Sequence, residues 1–288
     1  MPLPFNKFNS RDLNLHYFLT NWAENSIYVR FYSVKTACLR YLAVRRKGDD
    51  TRLAEMIYLE IIAKIIMQIE DLAHLCLFVS NPQRQPNTFY FSTNEEINHF
   101  FTDDQFTSFD SVRKYTGLDL SISSLHINEE ERKRLEDILQ KDVKACQSML
   151  KDTVAFWRGN NLMAKHYLHG IPNFRFQEAK DVAPIDSSFI EAEKQANESP
   201  QDFMTQVMVN DSGVKILHTT RHTYKQARQL MRISEYVHNL TKGIAFTELS
   251  KLDVSSGGLP HFYFISKMGR AEEDIALVKK HFITPWLD

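Results

Sequence analysis

The order of apolar and polar residues divides the chain into a few long helical patterns and many short interrupted runs. From Leu13 to Arg46 the stretch "LNLHYFLTNWAENSIYVRFYSVKTACLRYLAVRR" continues without a breaker. Asn9 and Ser10 can cap its start, and Gly48 can end it. The link "GDD" leads into "LAEMIYLEIIAKIIMQIEDLAHLCLFV", Leu53 to Val79. So short a connection predicts two antiparallel helices.

The pattern then weakens. "NTFYFS" has the composition of a short strand, and Thr93 with Glu96 forms a T-x-x-E box that predicts a small helix through His99. Residues Phe101 to His126 hold no clean period, which predicts short helical turns and loop. At Asn128 an N-x-x-E box with Glu131 opens the next element, and Leu135, Ile138, Leu139, Val143, Cys146, Met149, Leu150, Val154 and Trp157 recur at spacings of three and four. This is a long amphipathic helix, expected to pack on the first two. It ends at "AKHYLHGIP", with His166 and His169 in its last turn, Gly170 at the left-handed position and Pro172 forbidding continuation. "RGNN" at Arg158 to Asn161 is a place for a break or kink before that end.

Beyond Pro172 the runs "NFRF", "MTQVMV", "GVKILHTT" and "HFYFISK" alternate or are apolar, and "NDSG" at Asn210 to Gly213 suits a hairpin turn. They predict a small antiparallel sheet on one side of the helices. A further helix is expected from Thr219 to Lys242, ending at Gly243, and "RAEEDIALVKKHF" supplies the last. The expected fold class is therefore mainly α: a bundle-like core of long helices with a small antiparallel β annex in the C-terminal half. It is expected as one domain over 1–288, helical core about 10–170, β-containing part and last helices about 171–288.

Composition adds bounds. With 288 residues, 43% of them hydrophobic, the chain can fill a sizeable core without metal or disulfide staples. Cys38, Cys76 and Cys146 each sit inside an apolar helical pattern and read as buried thiols of a reducing compartment. Lys and Arg number 35 against 36 Asp and Glu, so no global field points to nucleic acid. The basic runs Arg40 to Lys47 and Arg221 to Arg232 are candidate contact faces, though such runs are more often solvated helix faces. The opening residues lack the basic, apolar and small-residue regions of a secretory signal, and Leu53 to Val79 is interrupted by Glu55, Glu60, Lys64, Glu70, Asp71 and His74. No membrane span and a cytoplasmic location are expected.

Three constellations carry candidate chemistry. On the Leu53 to Val79 helix, Glu60, Lys64, Asp71 and His74 fall in one narrow arc at about 100° per residue. Asp71-x-x-His74 can place an oxygen and a nitrogen on one metal, with Glu60 nearby; Glu60 pairing with Lys64 at i,i+4 is the alternative role. With Glu235-x-x-His238 the pair superficially resembles the two E-x-x-H motifs of ferritin-like di-iron proteins, which implies a divalent metal in a bundle core. It departs from that family in Asp71, in having no lone glutamates assigned to two further helices, and in Glu235 and His238 facing away from the stripe Leu230, Ile233, Val237 and Leu240, toward water.

Second, Arg232-x5-His238 resembles, in spacing alone, the R-x(4–6)-H signature of HEPN-type helical ribonucleases, with Ile233 where that family prefers a polar residue. The resemblance implies histidine for proton transfer and arginine for the phosphate charge, and the "HG" of His169-Gly170 echoes the end of such motifs. Third, His166, His169, His218, His222 and His261 crowd the C-terminal half, where a cleft could gather them. Phosphate-loop, dinucleotide, nucleophile-elbow and zinc signatures are missing from the sequence.

The leading expectation is a binding module without catalytic machinery, self-associating through the aromatic first helix, where Trp22, Tyr28, Phe31 and Tyr32 exceed what one face can bury. Its competitors are a hydrolytic or RNA-cleaving enzyme using His166, His169, Arg232 and His238, and a bundle metalloprotein using Asp71, His74 and Glu60. No cofactor is indicated beyond a divalent metal.

Overall fold

A computed structural model describes residues 19–20, 27–47, 51–81, 93–102, 106, 108–117, 122, 125–168, 202–211, 214–223, 227–255 and 271–282. Its helices are α1 (Tyr28–Lys47), α2 (Thr51–Ser80), α3 (Asn94–Thr102), α4 (Phe109–Thr116), α5 (Glu129–Leu168), α6 (Ala227–Ser255) and α7 (Glu272–His281). No described helix is long and apolar enough to cross a membrane. The chain falls into two compact units, one from 1–35, 65–159 and 232–288, the other from 36–64 and 160–231.

Local chemistry starts the helices where the sequence places their caps. The Thr93 hydroxyl accepts from the Glu96 N–H at 3.1 Å and the Glu96 carboxylate accepts from the Thr93 N–H at 2.7 Å, a reciprocal box that opens α3. Asn128 Oδ1 accepts from the Glu131 N–H at 2.8 Å and opens α5. Ser108 caps α4, and Gly117, at φ 65°, closes it in the left-handed conformation, its N–H reaching the Arg113 carbonyl.

In the first unit the core is built from Ile65, Ile66, Ile69, Leu72 and Leu75 of α2, Leu135, Val143 and Leu150 of α5, and Val237, Leu240 and Ala245 of α6, none more than 1% exposed. The core also holds one reciprocal polar clamp. Ser234 donates its hydroxyl to Gln68 Oε1 at 2.8 Å, and Gln68 Nε2 donates to the Ser234 carbonyl at 3.2 Å. Two buried polar side chains thereby satisfy each other between α2 and α6.

The short helices of this unit carry an aromatic cluster. Phe100, Phe106 and Tyr115 meet edge to face, while Phe101 stacks on Trp157 with centroids 4.2 Å apart. Arg158 donates to the Phe101 carbonyl at 2.6 Å. Charges hold α7 to α5: Arg134 reaches Glu273 and Asp274 at 2.9 and 3.0 Å, and Glu131 reaches Lys280 and His281 at 2.6 and 3.2 Å. Each pairing also sets an acidic first turn and a basic last turn of α7 against the opposite sign. In the second unit Ile57, Tyr58, Ile61 and Ile62 of α2 are buried with Ala37, Cys38 and Tyr41 of α1, and the Tyr41 and Tyr58 rings lie 5.9 Å apart.

Three expectations are corrected. The β annex is overturned: where backbone and side chains are both described the chain is 92% helical, with seven helices, no strand and no sheet. Asp202–Asp211 and Val214–Thr223 trace one antiparallel ribbon, Asp211 opposite Val214. A two-stranded ribbon by itself is only marginally stable in water. The other expected runs, 173–176 and 261–267, and the "NTFYFS" segment lie outside the described residues.

The helix expected over Thr219–Lys242 instead occupies Ala227–Ser255. Gly243 does not end it, because Ile244, Ala245, Thr247 and Leu249 beyond it are buried and Thr247 donates to the Gly243 carbonyl at 2.8 Å. Burial of that extra length outweighs the ~1 kcal/mol that a helical glycine costs. Third, α5 passes unbroken through Arg158, Gly159, Asn160 and Asn161. A side chain at Gly159 would meet open space, so the glycine serves no close approach. The described part of α5 runs to Leu168; His169 and Gly170, where the sequence places its end, lie outside the described residues.

Candidate functional site

The polar stripe of α2 is half-buried, and α1 answers it with arginines. Arg30 Nε donates to Asp71 Oδ2 at 2.6 Å, and Arg30 also points a guanidinium nitrogen at the Met67 sulfur, 3.7 Å away. Burial pushes the Asp71 carboxyl up from its ordinary value, against the opposing pull of the Arg30 charge and hydrogen bond. Ten residues along α1, Arg40 reaches Glu60 at 3.5 Å, and Lys64 holds the other Glu60 oxygen at 2.9 Å. Two members of the metal-candidate set, Asp71 and Glu60, thus have cationic neighbours. Among the described residues no group of three or more His, Cys, Asp or Glu is arranged to hold a metal ion. His74, half-buried, lies on the same helix one turn beyond Asp71.

His238 stands where water was expected and aromatic rings were found. Its imidazole stacks on Phe31 with centroids 4.5 Å apart and 26° between planes, and meets Tyr28 edge-on at 5.5 Å. Lys242, one turn on, sits 5.3 Å over the Tyr28 ring. Burial, with the Lys242 charge, lowers the His238 pKa to about 4, against a hydrogen bond to the Ile27 backbone that raises it. The ring is therefore neutral at neutral pH, with its Nδ1 buried and making no hydrogen bond among the described residues. The imidazole acts as a packing group that joins α6 to α1.

Arg232 is exposed and turns along its own helix, donating to the Tyr236 hydroxyl with its guanidinium near that ring. Six residues apart on one helix, Arg232 and His238 are separated by about 120°, and their neighbours differ. The arrangement does not bring them together. His166 lies on α5, its side chain outside the description, as is all of His169; His218 and His222 are known by backbone alone and His261 lies outside.

What sequence reasoning only half saw is the outer face of α1. Tyr28 and Phe31, two of the aromatics thought to exceed the core, are taken up by His238; Trp22 lies outside the described residues. Tyr32 is 56% exposed, and with it stand Val29 at 65%, Leu39 at 60% and Leu42 at 40%. Val29, Tyr32, Thr36, Leu39 and Ala43 follow one another at spacings of 3, 4, 3 and 4, and all five are exposed. Val34, Ala37, Cys38 and Tyr41, on the other side, are buried. Of the twenty residues of α1, Arg30, Lys35, Arg40, Arg45, Arg46 and Lys47 are basic and none is acidic. The spacing and the missing carboxylates are both visible in the sequence. They are masked there by the many apolar residues that give this helix a second face.

At the start of α2, Leu53 and Met56 add exposed apolar surface, 39% and 61%. Set against protein-family models, curated proteins and solved structures, the chain matches none.

Proposed function

We propose that this chain is a binding module that docks another macromolecule on the outer face of α1. The observation that carries this reading is one row: five exposed residues at alternating spacings of three and four, apolar at Val29, Tyr32, Leu39 and Ala43, on a helix with six cations and no carboxylate. Large apolar side chains more than half exposed in a regular row cost solubility, and such rows mark interaction sites. Self-association face to face through this helix is disfavoured, because it would set Lys35 and Arg40 of one copy against the cations of another.

A photo-crosslinking benzophenone side chain at position 39, with exposed Gln140 on α5 as the control position, tests it in the cell that makes the chain. The expected result is one adduct specific to position 39, whose identified partner, once purified, binds the wild type and loses at least tenfold in affinity for Leu39→Glu. Equal adducts from both positions, or a partner that binds Leu39→Glu as tightly, overturn it.

A further inference from the structure

We infer that the occupant of the α1 face is a partner helix that is amphipathic and acidic along its flanks, paired with α1 as in a short coiled coil. The inference rests on the docking reading above and narrows it to one class of partner. Three observations select that class.

The first is period. Val29, Tyr32, Thr36, Leu39 and Ala43 occupy successive a and d positions through two heptads and the start of a third, and a 3–4 repeat is the signature of a helix meeting another helix at a shallow angle. A membrane surface has no use for this register. An interfacial helix presents a broad apolar arc, whereas here the row is narrow and includes Thr36 and the small Ala43.

The second is orientation. In the same heptads the position opposite the seam falls on Val34 and Tyr41, 0% and 7% exposed. Thus α1 keeps its own core on one side and leaves the whole seam to solvent.

The third is charge. The positions flanking the seam are Tyr28, Ser33, Lys35, Arg40 and Leu42. In coiled coils these positions choose the partner, and here every charge is positive. A helix with Glu or Asp at its own flanking positions forms attractive pairs along the seam; one with Lys there is repelled. Lys35, exposed and 6.0 Å from the Tyr32 ring centroid, is poised at the middle of the row. Arg40 is 56% exposed and touches Glu60 only at 3.5 Å, so its guanidinium can turn to a partner.

Two heptads make a small interface, so the affinity expected is modest, a Kd on the order of 10 μM. The probe is a fluorescein-labelled peptide of three heptads with Leu at a and d and Glu at e and g, which cannot pair with itself. Its twin carries Lys at e and g. Both are titrated with the full chain by anisotropy, beside sedimentation velocity of the chain alone and flotation with vesicles of mixed phosphatidylserine and phosphatidylcholine. The expected result is saturable binding of the acidic peptide, at least tenfold weaker for the twin, weakened by salt, and lost in Leu39→Glu and Tyr32→Glu. Circular dichroism of these surface variants checks that each is folded. The Lys35→Glu/Arg40→Glu variant is expected to reverse the preference between the two peptides.

Equal binding of both peptides, or acidic-peptide binding that survives Leu39→Glu, overturns the inference. If neither peptide binds while the chain still forms its position-39 adduct in the cell, the partner class is wrong and the docking reading stands; vesicle flotation or self-association that depends on Leu39 overturns both. If nothing depends on Leu39, both fall.

Discussion

Removing the Ser234 hydroxyl should cost more than removing the clamp it belongs to. Ser234 is 0% exposed and Gln68 4%, so in Ser234→Ala the Gln68 Oε1 loses its 2.8 Å donor where water does not replace it. An orphaned buried acceptor costs about 1–3 kcal/mol. Gln68→Leu costs less, because the freed Ser234 hydroxyl can turn back to the carbonyl one turn earlier on α6. With both groups made apolar no orphan remains, and the double variant should come close to wild type. The cycle therefore predicts a coupling of about 1–2 kcal/mol, with Ser234→Ala the least stable form. At about 2–4 °C per kcal/mol for a chain of this size the differences are measurable by melting. Urea unfolding followed by circular dichroism and by tryptophan fluorescence, to which buried Trp157 contributes from the same unit, gives the free energies. Additivity of the two single changes within about 0.5 kcal/mol would refute the clamp.

The remaining predictions concern charge. Because the His238 pKa falls to about 4 in the folded chain from an ordinary 6.5, the unfolded chain binds the extra proton between those values. The contribution of His238 is thus complete above pH 6.5 and lost as pH falls toward 4; the imidazole Cε1 proton in NMR should titrate near pH 4, and His238→Gln should flatten the acid limb of stability against pH. Asp71→Ala should destabilise by about 1–2 kcal/mol by leaving Arg30 half-buried without its carboxylate, while Arg30→Met/Asp71→Leu should be at least as stable as wild type in urea. Glu131→Ala should release both Lys280 and His281, seen as faster amide exchange across α7 with α2 unchanged.

Legibility in the sequence followed the reach of the interactions. Thr93 with Glu96 and Asn128 with Glu131 act over three residues, and both boxes close as their spacing implies. The signals of α4, Ser108 and Gly117, were equally local but were obscured by the lack of apolar period between Phe101 and His126. Gly243 carried a stop signal that held only until Ile244 and Leu249 found burial, a tertiary fact that no local rule contains. The same cause hid His238. A single stripe of Leu230, Ile233, Val237 and Leu240 left it in water, but α6 buries Ser234 and Thr241 as well, and His238 borders that wider face against Phe31. Asp71 was legible as part of a polar stripe, whereas its partner, 41 positions away, could be supplied only by folding. For α1 the sequence offered one helix with apolar residues to spare; which of them the core would leave outside was decided by α2 and α6.

The three thiols have a practical meaning. Cys38, Cys76 and Cys146 are at most 2% exposed, and burial raises the Cys38 pKa to about 11 and pushes the other two up as well. A thiol that is neither ionised nor reachable does not alkylate until its surroundings open. A cysteine introduced at Leu39 would therefore react with maleimide alone, in the native sequence, and could carry a dye on the docking face. The native thiols, meanwhile, are slow internal clocks: their alkylation times count how often each helix comes away from its neighbours. Cys38 keeps time for one unit, Cys76 and Cys146 for the other.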